Sequence, residues 1–418
     1  MHCLPFFEKA AKFCLVIIMT SFATVLPRRC MAVRHGAARA STLAFANRRR
    51  FAESMIQSTC RAPQLSKLVN TRLYSSSSVH ANGATAEDLS FETTPLGSQG
   101  KELLDGLDLY TVEAKKDGHP LSVYGIESQN PAQMREKKNL RPILLLHGRT
   151  WSSVPVYHLL GGPKNKEAGL QSRSLMEALL AEGLQPYAMD FRGFGGTHHD
   201  SSRYVEPLQC VADTESVLEW IADRHGMTSS DDKDHLTLLG WSQGALVAQL
   251  SAQKPELPFG KLVLYGSIYD PLVRYPREPL YTLNKPNATI IENTFDMAIE
   301  DFTLEGTIPP EPARIFAEHA LISDPIKAVW RHLYQFNNCD PARISVPTMV
   351  AAGDQDPYAP LHVQQELFCN LGRGCDRTWS ILTNCDHAVH LLEGRTRLIK
   401  LISSFVANGK QGEHGSSY

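Results

Sequence analysis

A serine hydroxyl is a weak nucleophile at neutral pH. It becomes useful when a histidine takes its proton and a carboxylate orients that histidine. The pentapeptide Gly240-Trp241-Ser242-Gln243-Gly244 sets a serine between two glycines in the G-x-S-x-G pattern. That pattern lets a strand turn sharply into a helix with the serine at the apex, because small residues are needed where helix and strand pack closely. By composition alone such a run arises about 0.14 times in a chain of this length, so its setting must decide. An apolar strand, 236–239, stands directly before it, and an apolar helix, 245–252, directly after. A bare glycine-flanked turn would not require that setting.

Candidates for acid and base follow the serine, and in the fold that uses this strand-to-helix elbow the chain order is serine, acid, histidine. Gly353-Asp354-Gln355-Asp356-Pro357 comes after the strand 348–352, and Asn384-Cys385-Asp386-His387 after the strand 378–382, with His390 three residues on. Asp354 and Asp356 also suit plain turn formers, and His387 and His390 suit ordinary surface or core histidines. Their placement after successive strands, at the carboxyl edge where open α/β sheets keep their sites, is what singles them out. A tetrahedral oxyanion needs two backbone N–H donors: the one after the serine, Gln243, and one from the loop after an earlier strand. His147-Gly148-Arg149 supplies that loop, and the Arg149 N–H is the second expected donor.

These loops must be held by a parallel sheet. Two short strands, 107–114 and 121–126, are joined across Asp117-Gly118, a hairpin signal. The apolar run 143–146 reads as a strand buried on both faces. A helix around Leu175, Ala178 and Leu179 precedes a strand, 186–189, that leads into Asp190. Val211, Leu218 and Ile221 recur at helical spacing. Residues 242–253 read as a helix stopped by Pro255, and 262–265 as a further strand. Strand and helix alternating in this way imply right-handed crossovers. Between 267 and 345 the rhythm gives way to a Pro-rich stretch without a clear strand but with helical pieces, 313–321 and 326–336. An insertion of that kind reads as a cap over the sheet. Its aromatic residues (Tyr269, Tyr275, Tyr281, Phe295, Phe302, Phe316, Trp330) either line an acyl pocket or form the insertion's own core, core packing being the commoner fate of such residues. Helices follow at 362–371 and 395–406.

Leu146-His147-Gly148, Asp190-Phe191-Arg192-Gly193-Phe194-Gly195, Gly240-Trp241-Ser242-Gln243-Gly244, Gly353-Asp354-Gln355-Asp356 and Asp386-His387 together resemble the successive signatures of the α/β-hydrolase superfamily across 107–406. The resemblance implies an α/β-hydrolase fold: a mostly parallel eight-stranded sheet flanked by helices, with a helical cap. It implies Ser242 as nucleophile, Asp356 rather than Asp354 as acid, and His387 rather than His390 as base. Asp190 to Gly195 is structural in such proteins, and Arg149 departs from the smaller or apolar residue many relatives carry there. The implied reaction is cleavage of a carboxylic ester through an acyl-enzyme, with aminopeptidase, thioesterase and acyltransferase chemistry as alternatives. A serine at the elbow argues against dehalogenase or epoxide-hydrolase chemistry. A non-catalytic ligand receptor on the same scaffold is the rival from another class.

Composition agrees with a folded body. The 418 residues are 43% hydrophobic and 21% charged, enough for a large core. The first 86 residues carry 12 Lys and Arg against two acids, Glu8 and Glu53, leaving 30 basic and 42 acidic residues in the rest. An acidic body argues against phosphate-backbone binding, so no nucleic-acid partner is expected, while the resemblance implies a small acyl substrate and water as partners. Nine cysteines without C-x-x-C or His-rich spacing point to no disulfide framework and no metal, and no cofactor is implied.

The division expected is a leader (1–86), a core in two parts (102–266 and 346–408) around the cap (267–345), and a polar tail (409–418). The Arg- and Ser-rich leader has the composition of a presequence. Translation from Met31 with mitochondrial import is the expected route, and Arg72-Leu73-Tyr74 before Ser75 resembles an import cleavage site. The apolar run 13–26 keeps a secretory signal, or a bipartite plastid leader, as alternatives. At 14 residues it is too short to span a bilayer comfortably, so no integral span is expected.

Overall fold

The computed structural model describes residues 98–126, 140–227, 235–278 and 288–407. The leader expected at 1–86, the tail after 408 and Tyr281 lie outside the described residues.

Ten strands are described: β1 (Asp108–Glu113), β2 (Pro120–Gly125), β3 (Arg141–Leu146), β4 (Leu184–Met189), β5 (Tyr204–Val205), β6 (Thr237–Trp241), β7 (Lys261–Tyr265), β8 (Val329–Trp330), β9 (Thr348–Gly353) and β10 (Arg377–Leu382). Eight of them form one sheet in the order β1-β2-β4-β3-β6-β7-β9-β10. Only β2 runs against its neighbours, pairing antiparallel with β1 and β4, while every other pairing in that sheet is parallel. This is the mostly parallel eight-stranded sheet that the resemblance implied. The helices are α1 (Ser98–Glu102), α2 (Ser153–Tyr157), α3 (Pro163–Glu167), α4 (Leu175–Ala181), α5 (Pro207–Arg224), α6 (Gln243–Ala252), α7 (Phe295–Ile299), α8 (Pro310–Ser323), α9 (Leu361–Asn370) and α10 (Arg395–Ala407).

The central strands are near-continuous apolar runs because both faces of the sheet are covered. Side chains alternate between the two faces. Leu145, Leu239, Val263 and Met349 meet Leu175 and Leu179 of α4 and Leu398 and Ile402 of α10 on one side. Leu144, Leu238, Leu262 and Val350 meet Val211 and Leu218 of α5, Leu246 of α6 and Leu367 of α9 on the other. Each such fully buried leucine contributes about 2 kcal/mol. The edge strand β1 instead shows alternating exposure, as a half-buried strand should.

One expectation needs correction. Residues 326–336 were expected to be helical and the insertion to lack a strand. Instead Val329–Trp330 pairs with Tyr204–Val205, and a 3-10 turn follows at Leu333–Asn338. The backbone N–H groups of Lys327 and Arg331 are taken by the carbonyls of Ile291 and Val205. Trp330 packs against Phe191, Phe194 and Phe336. Tertiary partners thus claim the donors that a helix would have used internally. The helix expected at 313–321 is present as α8. Among the described residues, no helix is long and apolar enough to cross a membrane.

Candidate active site

Ser242 stands alone between the last residue of β6 and the first of α6, with φ 57° and ψ −120°. A non-glycine residue held there stores strain of about 1–3 kcal/mol, affordable only where the surroundings enforce it. They do so through close approach. A Cβ on Gly240 would fall 2.4 Å from the Gly244 carbonyl oxygen, and one on Gly244 would fall 2.4 Å from that of His147. The Ser242 N–H is tied to the Tyr265 carbonyl of β7 (3.1 Å), fixing the turn to the neighbouring strand.

At the end of β9, Gly353 lies so close to the loop after β10 that a Cβ would fall 2.3 Å from the Cys385 carbonyl oxygen. That proximity brings Asp356 to His387, whose Nδ1 is 2.8 Å from Asp356 Oδ2, both side chains being buried. The other Asp356 oxygen accepts from the N–H groups of Tyr358 and Ala359 (2.8 and 2.9 Å). Asp354 is turned away, its Oδ1 accepting from the Cys385 N–H. The His387 ring packs 5.1 Å from the Trp241 ring, beside Ser242, and its carbonyl accepts from Trp241 Nε1 and the Tyr265 hydroxyl (3.0 Å each). His390 is enclosed with no carboxylate partner; its Nδ1 meets the Tyr265 hydroxyl at 3.2 Å, and burial pushes its pKa down to about 3.

The loop after β3 lies against the serine, since a Cβ on Gly148 would stand 3.3 Å from Ser242 Cβ. His147 shapes this loop: Nδ1 donates to the Gly148 carbonyl (2.9 Å) while Nε2 accepts from the Phe191 N–H (3.1 Å). Both bonds require a neutral ring, and burial lowers its pKa to about 3. The Arg149 carbonyl accepts from Trp330 Nε1 (3.1 Å), which orients the next peptide. Gln243 opens α6, so its N–H belongs to the first turn, where no carbonyl of the same helix can accept it.

The family model described as Alpha/beta hydrolase family matches residues 143–399, more than half the chain and every loop just described. The chain belongs to the alpha/beta hydrolase family. No curated protein matches it. Solved structures similar to this hydrolase include a serine hydrolase involved in carbazole degradation (17% identity, TM-score 0.48, covering 72% of this chain and 98% of the other). A thermophilic esterase from Thermogutta terrifontis has 16% identity, TM-score 0.49 and coverages of 72% and 98%. A thioesterase domain from a curacin biosynthetic pathway has 15% identity, TM-score 0.48 and coverages of 73% and 100%.

Three further carboxylates, for which the sequence alone implies no role at the site, support or face it. Asp190 accepts from the Ser153 N–H (2.7 Å), the Tyr124 hydroxyl (2.7 Å) and the Gly196 N–H (2.9 Å). Asp324, just past α8, accepts from the Ser152 N–H and hydroxyl (2.8 and 2.7 Å) and the Gly195 N–H (2.9 Å). Burial raises Asp324 to about 7, against the pull of those donors. Between them the two carboxylates clamp the segment following the His147-Gly148-Arg149 loop. Asp386, beside His387, holds the insertion: its Oδ2 accepts from the N–H groups of Thr303 and Leu304 (3.0 and 3.1 Å). No sequence signal marked Asp324, because its donors lie 129 and 172 residues away.

Burial opposes a charged His387, but the Asp356 charge and hydrogen bond, aided by Asp301 and Asp386, more than offset it and raise the pKa. A ring serving as general base must be neutral, so if His387 has that role, activity should rise with pH along a limb centred above the ordinary histidine value of 6.5. Removing the Asp356 charge lowers the pKa. In a kcat/KM–pH profile, Asp356→Asn should therefore move that limb to lower pH while cutting the plateau by about 10^3- to 10^4-fold. Asp354→Asn should leave both in place.

Proposed function

We propose that the protein is a serine hydrolase that cleaves a carboxylic ester through an acyl-enzyme on Ser242. The observation that carries this reading is the buried 2.8 Å pairing of His387 Nδ1 with Asp356, next to a strained serine at a strand-to-helix turn. With Nδ1 committed to Asp356, Nε2 is the ring atom available to take the serine proton. Ser242 Oγ then attacks the carbonyl carbon, and the oxyanion is met by the N–H groups of Gln243 and Arg149. The protonated His387 gives its proton to the departing alcohol. Water, deprotonated by the same ring, releases the acid and restores the serine.

In this reading residues 267–345 act as a cap that shapes the acyl and leaving-group pockets. Trp330 and Phe316 support it, because they serve as packing that ties the insertion to the 149–151 loop. A fluorophosphonate probe tests the nucleophile: the intact protein should label, and Ser242→Ala should not. Labelling that persists in Ser242→Ala, or none in the intact protein, would favour a binding role on the hydrolase scaffold. Steady-state rates on esters of graded chain length, an aminoacyl amide and an acyl-CoA would rank the ester reading against peptidase, thioesterase and acyltransferase chemistry.

A further inference from the structure

Ser267, the second residue after β7, is fully buried and is the meeting point of two amide side chains. Its carbonyl accepts from Gln364 Nε2 of α9 (2.7 Å), and its hydroxyl oxygen accepts from Gln249 Nε2 of α6 (3.2 Å) and from the Tyr269 N–H (3.3 Å). Both glutamines are themselves fully buried. The two helices belong to the site. Ser242 stands at the head of α6, and Gln249 follows it by about two turns. Helix α9 opens just after Tyr358 and Ala359, whose N–H groups hold Asp356 Oδ1, and the Gln364 N–H returns to the Pro360 carbonyl (3.2 Å).

The residue before Ser267 faces the carboxylate–imidazole pair directly. Gly266 has φ +52°, and a Cβ there would stand 3.3 Å from His387 Nδ1 and Cε1 and 3.4 Å from Asp356 Oδ2. The contacts therefore close a ring. Asp356 is held by Tyr358 and Ala359, the chain runs through Pro360 into α9, Gln364 reaches across to Ser267, and Gly266 comes back against Asp356 and His387. A shift of α9 or of the 266–267 peptide would change how Asp356 Oδ2 meets the imidazole. Each amide is committed to that one serine: Gln249 Oε1 and Gln364 Oε1 are buried and find no partner among the described residues. Polar atoms left so oppose folding, and stability alone does not account for two glutamines here.

We propose that Gln364 is a positioning residue that fixes Asp356 against His387 by way of Ser267, with Gln249 anchoring the same serine to the helix that carries the nucleophile. The assignment rests on the serine-hydrolase reading and adds to it a residue outside Ser242, Asp356 and His387.

The test is the kcat/KM–pH profile of Gln364→Met on an ester that the intact full-length protein turns over, each rate divided by the concentration of active sites titrated with a fluorophosphonate. A less well placed Asp356 raises the His387 pKa less, so the rising limb should move to lower pH. The plateau should fall by about 10- to 100-fold, through kcat rather than KM. Gln364→Asn, whose amide ends one methylene short of Ser267, should move the limb in the same direction and is the second variant should Gln364→Met not fold. Gln185→Met is the control. It removes a buried amide that donates to the Ile126 carbonyl (2.9 Å) near the amino end of β4, away from the catalytic loops, and should leave limb and plateau in place. A limb that stays in place in a folded Gln364 variant, whatever its plateau, would overturn the proposal. So would failure of both variants to fold, since the amide would then serve the framework of the fold. Labelling of the intact protein with an unmoved limb in the variants defeats this assignment alone, whereas no labelling of the intact protein defeats the serine-hydrolase reading and the assignment with it.

Discussion

His387→Ala is expected to lower kcat on any ester that the intact protein turns over by about 10^4- to 10^6-fold, the range seen when one member of a concerted nucleophile–base unit is removed. The size follows from the chemistry. Without a base the serine proton has no acceptor, and the leaving alcohol has no donor. What survives is substrate binding and the oxyanion donors, worth about 10^3- to 10^4-fold over water. KM should change little, because the imidazole acts on the transition state. His390→Ala is the comparison. That ring faces the Tyr265 hydroxyl and no carboxylate, and burial holds it neutral, so its loss should cost packing stability rather than several orders of magnitude in rate. Near-normal turnover in His387→Ala, measured with active-site titration to exclude contaminating esterase, would remove it as the base.

Gly244→Val should destabilise the fold by at least about 3 kcal/mol, and the soluble fraction and thermal midpoint should both fall. Here the cause is collision. A Cβ at this position would sit 2.4 Å from the His147 carbonyl oxygen and 2.5 Å from that of Leu146, both backbone atoms of the neighbouring strand end. Neither can move without displacing the loop that carries Gly148 and Arg149, so whatever protein folds should also lose activity. Gly118→Ala separates collision from conformational strain. Gly118 has φ +71° in the β1–β2 turn and nothing within 4 Å of an added Cβ. Its substitution should cost only about 1–2 kcal/mol, the penalty for a left-handed backbone. Equal losses in the two variants would show that close packing is not what Gly244 supplies.

The same glycines mark how much could be read in advance. G-x-S-x-G announced a close strand-to-helix approach, and the approach is present at Gly240 and Gly244. The apolar run at 143–146 announced a strand buried on both faces, that at 236–239 a buried strand and that at 262–265 a further strand, and these are β3, β6 and β7. Residues 326–336 misled because their helical periodicity was outweighed by partners from β5 and from Ile291, which no local window contains. Between Asp354 and Asp356 local sequence could not choose; the resemblance favoured Asp356, and that is the carboxylate facing His387.

Periodicity, small-residue spacing and the order of strand-end loops are local properties, and from them the α/β class, the strand sequence and the candidates Ser242, Asp356 and His387 could be named. Which carboxylates converge on those candidates is a long-range matter. Asp324 carries no motif, and its role, like the hold of Asp386 on Thr303 and Leu304, depends on the insertion folding back onto loops more than 80 residues distant in sequence. A buried carboxylate gains its function from the donors and charges that packing brings within about 3–6 Å, and chain spacing does not encode those neighbours.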